Sequence, residues 1–403
     1  MVPGGHWQVL ALVVRMQSIR QFAACNEDNL LMPQYDFDRI IDRRALNALK
    51  WTAFDEDVLP LWVADMDCAP PPCVTTTIEA RVAHGIFGYG SEPKHFRDAW
   101  VTHLQARHDW DIDPDWIVPI AGVVPAMRFS LMANPDIRHV LAPSPAYPYF
   151  QTVPRIEQRT HHPIRLHRQA GGLEPSFDDM DDQLQALKAP AAILWCNPQN
   201  PGGTVYSSHQ IQQLVRIGAS HGSLIVSDEI WADLILDDNQ HIPLGRMAPT
   251  TQPTITLMAA TKTFNVAGFG CAVAIIPEPV TRQRFLDTQI AMPHVTPLAY
   301  AVTESCLRDG WDWHHELLDA LRTNRQTVLN WAAQHPEFEV TTGHATFLAW
   351  IDSHQRTDMA EHFAKRGVRL SPGKPFGSET AVRLNFGCSP ATLSEALRRM
   401  DAQ

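Results

Sequence analysis

The sequence predicts an α/β protein in which helices cover both faces of a mainly parallel sheet. Short apolar runs that end in turn or polar residues alternate with helical patterns over residues 139–260. This alternation is typical of parallel sheets, because each crossover between parallel strands requires a connection that is usually a helix. The length of 403 residues exceeds the size at which one hydrophobic core keeps growing. A large domain with a smaller second one is therefore expected.

Four apolar runs are interpreted as strands of this sheet: HVLAPSPA (139–146), AAILWCNP (191–198), GSLIVSDEI (222–230) and TITLMAA (254–260). Residues 207–222 open with two serines suited to an N-cap and end in glycine, which predicts a helix. From residue 296 onward a long helical stretch precedes FLAWIDS and VRLNFG, which indicates a smaller α+β domain.

Composition excludes several classes of partner. The 33 basic and 44 acidic side chains give a net charge of −11, which argues against a nucleic-acid or anionic-membrane surface. No window approaches the roughly 18 uninterrupted apolar residues of a membrane span. The seven cysteines are odd in number and form no C-x-x-C pair, so a reducing cytoplasm is expected. Residues 1–31 are interpreted as a poorly ordered extension, with Met32 as a candidate start.

Three polar residues follow successive predicted strands, where ligands of parallel sheets bind. Asn200 in CNPQNPGG is either a turn residue or an amide donor to a phenolate oxygen. Asp228 in SDEIWADL is either a solvated cap or the partner of a protonated ring nitrogen. Lys262 is the single charge in TLMAATKTFNVAGFG, and is either a surface lysine or a buried amine with a lowered pKa that forms a Schiff base.

Two further motifs complete a candidate site. PIAGVVPAMRFSL (119–131) resembles a tight turn that leads into a helix N-terminus, whose free N–H groups suit a phosphate dianion. Arg383 in VRLNFG offers a fork of donors that can grip a carboxylate. A phosphate turn, a ring-nitrogen partner, an amine and a carboxylate clamp together form the apparatus for pyridoxal phosphate acting on an amino acid.

The order of the motifs resembles the fold type I, class I/II pyridoxal phosphate enzymes, and within them the MalY/PatB-type cystathionine β-lyase (C–S lyase) branch. The resemblance extends from about residue 33 to the end and rests on YDFDRIIDRRALNALKW, LPLWVADMDCAPPP, FGYG, AGVVPAM, PSPAYPYF, CNPQNPGG, SDEIWADL, ATKTFNVAGF and VRLNFG. It implies a seven-stranded type of sheet in the large domain. It also implies domain boundaries: an N-terminal arm (32–70) contributing to the small domain, a large cofactor-binding domain (71–295) and a small C-terminal domain (296–403).

The resemblance also implies a role for each matching residue. Lys262 matches the Schiff-base lysine, Asp228 the partner of the pyridine nitrogen and Asn200 the donor to the phenolate oxygen. Arg383 matches the anchor of the substrate α-carboxylate. Tyr147 matches a tyrosine that stacks on the ring, and Gly122, Val123 and Val124 match the phosphate turn. Tyr89 matches a tyrosine that reaches the phosphate of the neighbouring subunit in a homodimer.

Three positions depart from the family pattern. Ala259 stands where the family usually has a serine, and Gly270 stands where it usually has a basic residue. In the family, that serine and that basic residue both contact the phosphate. Either the affinity for the phosphate is lower than in the family, or Thr261 and an unmatched cation compensate. Trp231 replaces a Tyr or His near the phenolate oxygen, where an indole N–H either donates or simply walls the pocket.

The expected activity is C–S β-lysis of a cysteine-derived amino acid, which yields a thiol, pyruvate and ammonia. The same residues serve transamination, so an aminotransferase is the alternative, and a regulatory or binding protein of this fold is the third. No zinc-protease, nucleophile-elbow or P-loop motif is present, and WDWHHEL (311–317) is interpreted as the start of an amphipathic helix. No metal site is predicted, and the sequence does not identify the substrate.

Overall fold

The computed structural model describes residues 35–290 and 294–401. The predicted extension at residues 1–31, with its candidate start at Met32, lies outside these described ranges. No helix in the described ranges has the length and hydropathy needed to cross a membrane.

Helices and strands alternate along most of the described chain. The α-helices there are α1 (Leu49–Thr52), α2 (Pro72–His84), α3 (Phe96–His108), α4 (Val123–Met132), α5 (Tyr149–Ile156), α6 (Phe177–Leu187), α7 (Ser208–Ser220), α8 (Leu244–Met247), α9 (Ala260–Thr263), α10 (Pro279–Gln289), α11 (Pro297–Asp309), α12 (Trp311–Gln334), α13 (Met359–Ala364) and α14 (Pro390–Asp401). The strands there are β1 (Leu59–Pro60), β2 (Ile117–Ile120), β3 (His139–Ser144), β4 (Thr160–Gln169), β5 (Gly172–Pro175), β6 (Ala191–Cys196), β7 (Leu224–Asp228), β8 (Thr254–Met258), β9 (Ala272–Ile275), β10 (Glu339–Thr341), β11 (Leu348–Asp352), β12 (Val368–Arg369), β13 (Ser371–Pro372) and β14 (Ala381–Asn385).

The large sheet confirms the predicted α/β fold. Its strand order is β2-β9-β8-β7-β6-β3-β4-β5. The central pairs from β8 to β4 are all parallel, and the pairs at both ends of the sheet are antiparallel. The implied seven-stranded sheet has an eighth strand here, because the short β5 folds back onto β4 as a hairpin.

The four runs interpreted as strands correspond to β3, β6, β7 and β8. Every residue of β6, β7 and β8 is buried, which explains why these strands are continuous apolar runs without alternation. The predicted helix at 207–222 is α7, and Ser207 with Gln210 forms a complete capping box at its start. Hydrophobic clusters fill both faces of the sheet, one around Phe150 and the other around Trp195.

A separate four-stranded antiparallel sheet, in the order β10-β11-β14-β13, contains both predicted C-terminal strands. Arg383 lies in the middle of β14, where it is the register partner of Trp350 on one side and Ser371 on the other. The long helix α12 begins at Trp311, as the interpretation of WDWHHEL expected. A third sheet pairs β1 with β12 in parallel, so the chain around residue 60 lies against the C-terminal part.

Candidate active site

One cavity of about 750 Å³ lies at the carboxyl ends of β6, β7 and β8. Residues near these ends and from the small sheet meet at its walls. All sequence-predicted site residues except Tyr89 line this cavity: Gly122, Val123, Val124, Tyr147, Asn200, Asp228, Trp231, Thr261, Lys262 and Arg383. Tyr89 is fully exposed on the described chain. The volume falls within the usual range for small-molecule sites.

Lys262 occupies the short helix α9, directly after β8. Its Nζ donates a hydrogen bond to the carbonyl oxygen of Ala64 and lies 5.6 Å from the centroid of the Trp231 ring. Burial lowers the pKa of Lys262 to about 8, with the positive charge of Arg383 adding to this effect and the carboxylates of Asp65 and Asp228 opposing it. An amine with this pKa is unprotonated far more often at neutral pH than an ordinary lysine, so it can act as nucleophile and base.

Asp228 ends β7 and is buried. Burial raises the pKa of its carboxyl to about 7; the Ile230 N–H, which donates to Oδ1 at 3.2 Å, opposes the rise, and the nearby Glu229 adds to it. A cationic group in the cavity would stabilise the Asp228 anion. The adjacent Glu229 is not available to pair with such a cation, because its carboxylate already binds Ser227, His241 and the Leu244 N–H.

Arg383 is buried and held from three directions. Its Nη1 donates to Asn200 Oδ1 at 3.1 Å, and its Nη2 donates to the Trp62 carbonyl oxygen at 3.0 Å and to Ser371 Oγ at 3.5 Å. Burial lowers the pKa of Arg383 to about 10. Within the described ranges no carboxylate lies within 4.0 Å of the guanidinium, and its buried Nε has no hydrogen-bond partner. A buried arginine without an acidic partner is suited to bind an anionic ligand.

The turn before α4 has a backbone that requires glycine. Gly122 has φ 128° and ψ 160°, in a region that residues with a Cβ almost never adopt. Gly122 is the N-cap of α4 and makes no side-chain cap, and Gly122, Val123 and Val124 all line the cavity. Free N–H groups at the start of a ten-residue helix form a binding site for an anion.

The family model for aminotransferase class I and II matches residues 56–400, which is most of the chain. The chain belongs to this family.

Relatives in the family point to one branch. The chain is 30% identical over 385 residues to cystathionine β-lyase PatB of Bacillus subtilis, with 91% of this chain and 99% of PatB covered. Among solved structures, it is similar to OvoB, with 36% identity and a TM-score of 0.87 over 91% of this chain and 98% of that one. It is also similar to cystalysin from Treponema denticola, which contains a pyridoxal 5′-phosphate cofactor, with 27% identity and a TM-score of 0.86 over the same shares. The predicted resemblance is confirmed.

The residues of this family member fit pyridoxal 5′-phosphate. The cavity brings together an amine of lowered pKa, a buried carboxyl, a partly buried Tyr147 ring and a helix N-terminus. Asn200 adds an amide whose oxygen is engaged by Arg383, which assigns the Nδ2–H₂ group as the remaining donor. Each polar group of the cofactor therefore has a complementary group of the required charge or hydrogen-bonding type.

The departures from the family pattern also lie at the cavity. Ala259 and Gly270 both line it, and Gly270 has a left-handed φ of 48°. Thr261, the candidate for compensation, is buried in the same wall. Trp231 is 2% exposed, and its ring packs edge-on against Phe347 at 4.9 Å while facing the Lys262 ammonium. The indole thus forms at least part of the wall of the pocket.

Sequence reasoning missed the ion-pair network that holds the residue 62–67 segment in place. Asp67 accepts from Lys50 Nζ at 2.7 Å, from Arg43 Nη1 at 2.8 Å and from the Trp51 indole at 2.8 Å. Asn385 Nδ2 donates to the Asp65 carbonyl oxygen at 2.7 Å from the opposite side. These contacts fix the backbone beside the cavity. The motifs IDRR…KW and WVADMD carried this signal, but spacing alone does not show that they pair.

Proposed function

We propose that this chain is a pyridoxal 5′-phosphate-dependent C–S β-lyase that acts on a cysteine-derived amino acid such as cystathionine. One observation carries the proposal: the cavity places an amine of lowered pKa, Lys262, together with a buried arginine that has no acidic partner among the described residues, Arg383. The first group suits proton removal from an amino acid, and the second suits recognition of its carboxylate. The relatives named cystathionine β-lyase support the same reaction.

Lys262 and Asp228 would hold the reactive end of the cofactor. When bound, pyridoxal phosphate supplies an electron-accepting ring that stabilises negative charge on the substrate Cα. Asp228 would keep the proton on the ring nitrogen and so maintain this electron-accepting character. Asn200 would donate to the phenolate oxygen, and Tyr147 would cover the ring. The turn at 122–124, with Thr261, would hold the phosphate, and Trp231 would form a wall of the pocket.

Lys262 and Arg383 then carry out the steps on the substrate. Arg383 holds the α-carboxylate, which fixes the orientation of the Cα–H bond. The free Lys262 Nζ takes the Cα proton, and its pKa of about 8 places its basic form within reach at neutral pH. The electron pair of the former Cα–H bond would form a Cα=Cβ bond as the Cβ–S bond breaks, and the departing sulfur would take up a proton to give the thiol. Addition of one water would convert the remaining three-carbon unit to pyruvate and ammonia.

The test is an absorbance spectrum of the purified protein followed by a coupled pyruvate assay with L-cystathionine, with Lys262→Ala as the control. We expect a near-visible absorbance band that the variant lacks, and pyruvate release by the wild type alone. Conversion to the aminated cofactor without pyruvate would instead identify an aminotransferase. Absence of the band even with added cofactor would overturn the enzyme assignment.

We also propose a homodimer with shared active sites, in which Tyr89 reaches the phosphate in the neighbouring subunit. Tyr89 is fully exposed, and the nearby Phe87 and Ile86 are 67% and 64% exposed, which supports a contact surface in this segment. Mixing inactive Lys262→Ala and Tyr89→Ala chains should restore activity, because one site of each mixed dimer then has both wild-type residues. Failure to restore activity, with mixed dimers present by ultracentrifugation, would refute the shared site.

The proposed organisation follows the same family pattern. Residues 32–70 form an arm that contributes to the small domain, residues 71–295 the large cofactor-binding domain, and residues 296–403 the small domain. The parallel pairing of β1 with β12 supports the placement of the arm. We propose a cytoplasmic location, which the odd number of cysteines supports, since a disulfide framework would use them in pairs.

A further inference from the structure

Three buried side chains meet outside the cavity of the candidate active site. They are His103 and His108 on α3 and Asp233 in the loop after β7, and none of them lines the cavity. Asp233 Oδ1 lies 3.1 Å from His108 Nε2 and 3.5 Å from His103 Nε2. One potential ligand atom from each residue lies within 4.8 Å of the other two. Tetrahedral zinc with ~2 Å bonds separates its ligand atoms by about 3.3 Å, close to both carboxylate–imidazole distances.

Three of the four histidine ring nitrogens in this cluster lack a hydrogen-bond partner among the described residues, and the fourth, His108 Nε2, is paired with Asp233 Oδ1. His103 is 3% exposed, and neither of its ring nitrogens has a hydrogen-bond partner among the described residues. A neutral imidazole carries a nitrogen lone pair that a metal ion can bind. A buried polar atom without a partner costs about 1–3 kcal/mol. A metal ion placed between His103 and Asp233 would accept the lone pair of one ring nitrogen. It would thereby remove the cost of leaving that nitrogen without a partner.

The cluster also has a negative charge without a fixed positive partner. The Asp233 side chain is 8% exposed. In the described part of the chain, its ion-pair partners within 4.0 Å are the two histidines alone. Arg107 is the nearby permanent cation, but its guanidinium stacks on the Trp311 ring at 3.8 Å.

We propose that His103, His108 and Asp233 bind a divalent transition-metal ion, for which zinc is the best match. Two imidazoles and one carboxylate form a donor set that zinc uses in proteins. Thr263 Oγ1 donates to Asp233 Oδ2 at 3.1 Å, which orients the carboxylate as the outer partners of metal ligands do. Thr263 follows Lys262 in α9. The three protein donors leave the fourth position of a tetrahedral zinc to water. Through Asp233 and Thr263, the ion links α3 to the helical turn that carries Lys262.

The experiment measures metal content in the intact protein after expression with added zinc and removal of loosely bound ions. We expect about one zinc per wild-type chain by elemental mass spectrometry, and visible ligand-field bands after replacement by cobalt(II). The variant His103→Gln should lose the metal. The matched control is His139→Gln, because His139 lies in a separate pair with His162, Nδ1 to Nε2 3.0 Å. This control should keep the metal.

Folding is verified separately by circular dichroism. Wild-type protein that contains no metal, and that takes up no zinc after chelator treatment, would overturn the proposal, and this result requires no variant. Zinc retained by His103→Gln, or lost equally by His139→Gln, would place the ion elsewhere and would also overturn it. None of these measurements depends on the lyase reaction, so failure of the metal site and failure of the proposed function remain distinguishable.

Discussion

Replacing Asp228 with Asn should stabilise the cofactor-free protein and should weaken its binding of the cofactor. In the folded, cofactor-free chain the pKa of Asp228 rises from 3.8 to about 7, mainly through burial. The unfolded chain releases its proton near pH 4, whereas the folded chain keeps it up to pH 7. Over this interval the folded state binds more protons, so stability falls as pH rises. Relative to low pH, the raised pKa therefore lowers the free energy of unfolding by about 2 kcal/mol at pH 5 and by about 4 kcal/mol at pH 8.

The amide retains the acceptor for the Ile230 N–H but never ionises. The gain in the free energy of unfolding for Asp228→Asn should therefore double between pH 5 and pH 8, measured by urea denaturation of cofactor-free protein at one chain concentration. Asp238→Asn, at an exposed position, should give no such change. A variant that is no more stable than the wild type at pH 8 would refute the buried-charge reasoning. Added cofactor should stabilise the wild type far more than the variant.

Three further substitutions test the rest of the site. Arg383→Lys should raise KM about 10- to 100-fold in the pyruvate assay, because a lysine cannot keep the three-sided hydrogen bonding of a guanidinium fork; an unchanged KM would remove the carboxylate role. Lys50→Met should lower the urea-unfolding free energy by about 1–3 kcal/mol, since it removes one charged donor to buried Asp67, which keeps Arg43 and Trp51, whereas Lys374→Met in an exposed ion pair should cost less than about 1 kcal/mol. Gly122→Ala should lower the free energy of unfolding by about 1–3 kcal/mol and should weaken cofactor binding. Gly268→Ala, at a position that faces open space, should change neither quantity. Fluorescence titration with the cofactor measures the difference in binding.

The sheet and the strand-end residues could be predicted because local sequence determines them. The central strands β6, β7 and β8 are buried on both faces. Each of them is therefore visible in the sequence as a continuous apolar run. Parallel strands also place their carboxyl ends at one edge. This topological rule brings Asp228 and Lys262 to the same cavity without any knowledge of the loops.

The contacts that cross the chain over long distances could not be predicted from local patterns. Arg383 was expected to bind a carboxylate, but nothing in VRLNFG indicates that its guanidinium binds Asn200, 183 residues away. The eighth strand β5 was likewise missed, since a four-residue hairpin arm has too few residues for a periodic signal. His103 and His108 show no metal-ligand spacing in sequence because Asp233, their common partner, follows 125 residues after His108.

The positions that depart from the family pattern show how the phosphate end of the site must work. The cations among the cavity-lining residues are Lys262 and Arg383, which are committed to the cofactor aldehyde and the substrate carboxylate in the proposed function. Because Gly270 carries no side chain, the phosphate has no fixed positive charge from that position. In the proposed function, phosphate binding on this chain would rest mainly on the free N–H groups that follow Gly122 and on the macrodipole of α4, with Thr261 and the neighbouring subunit's Tyr89 as uncharged side-chain contacts. Backbone donors are rigid and lose no side-chain entropy, so a neutral turn can hold the phosphate provided that its glycine geometry stays intact.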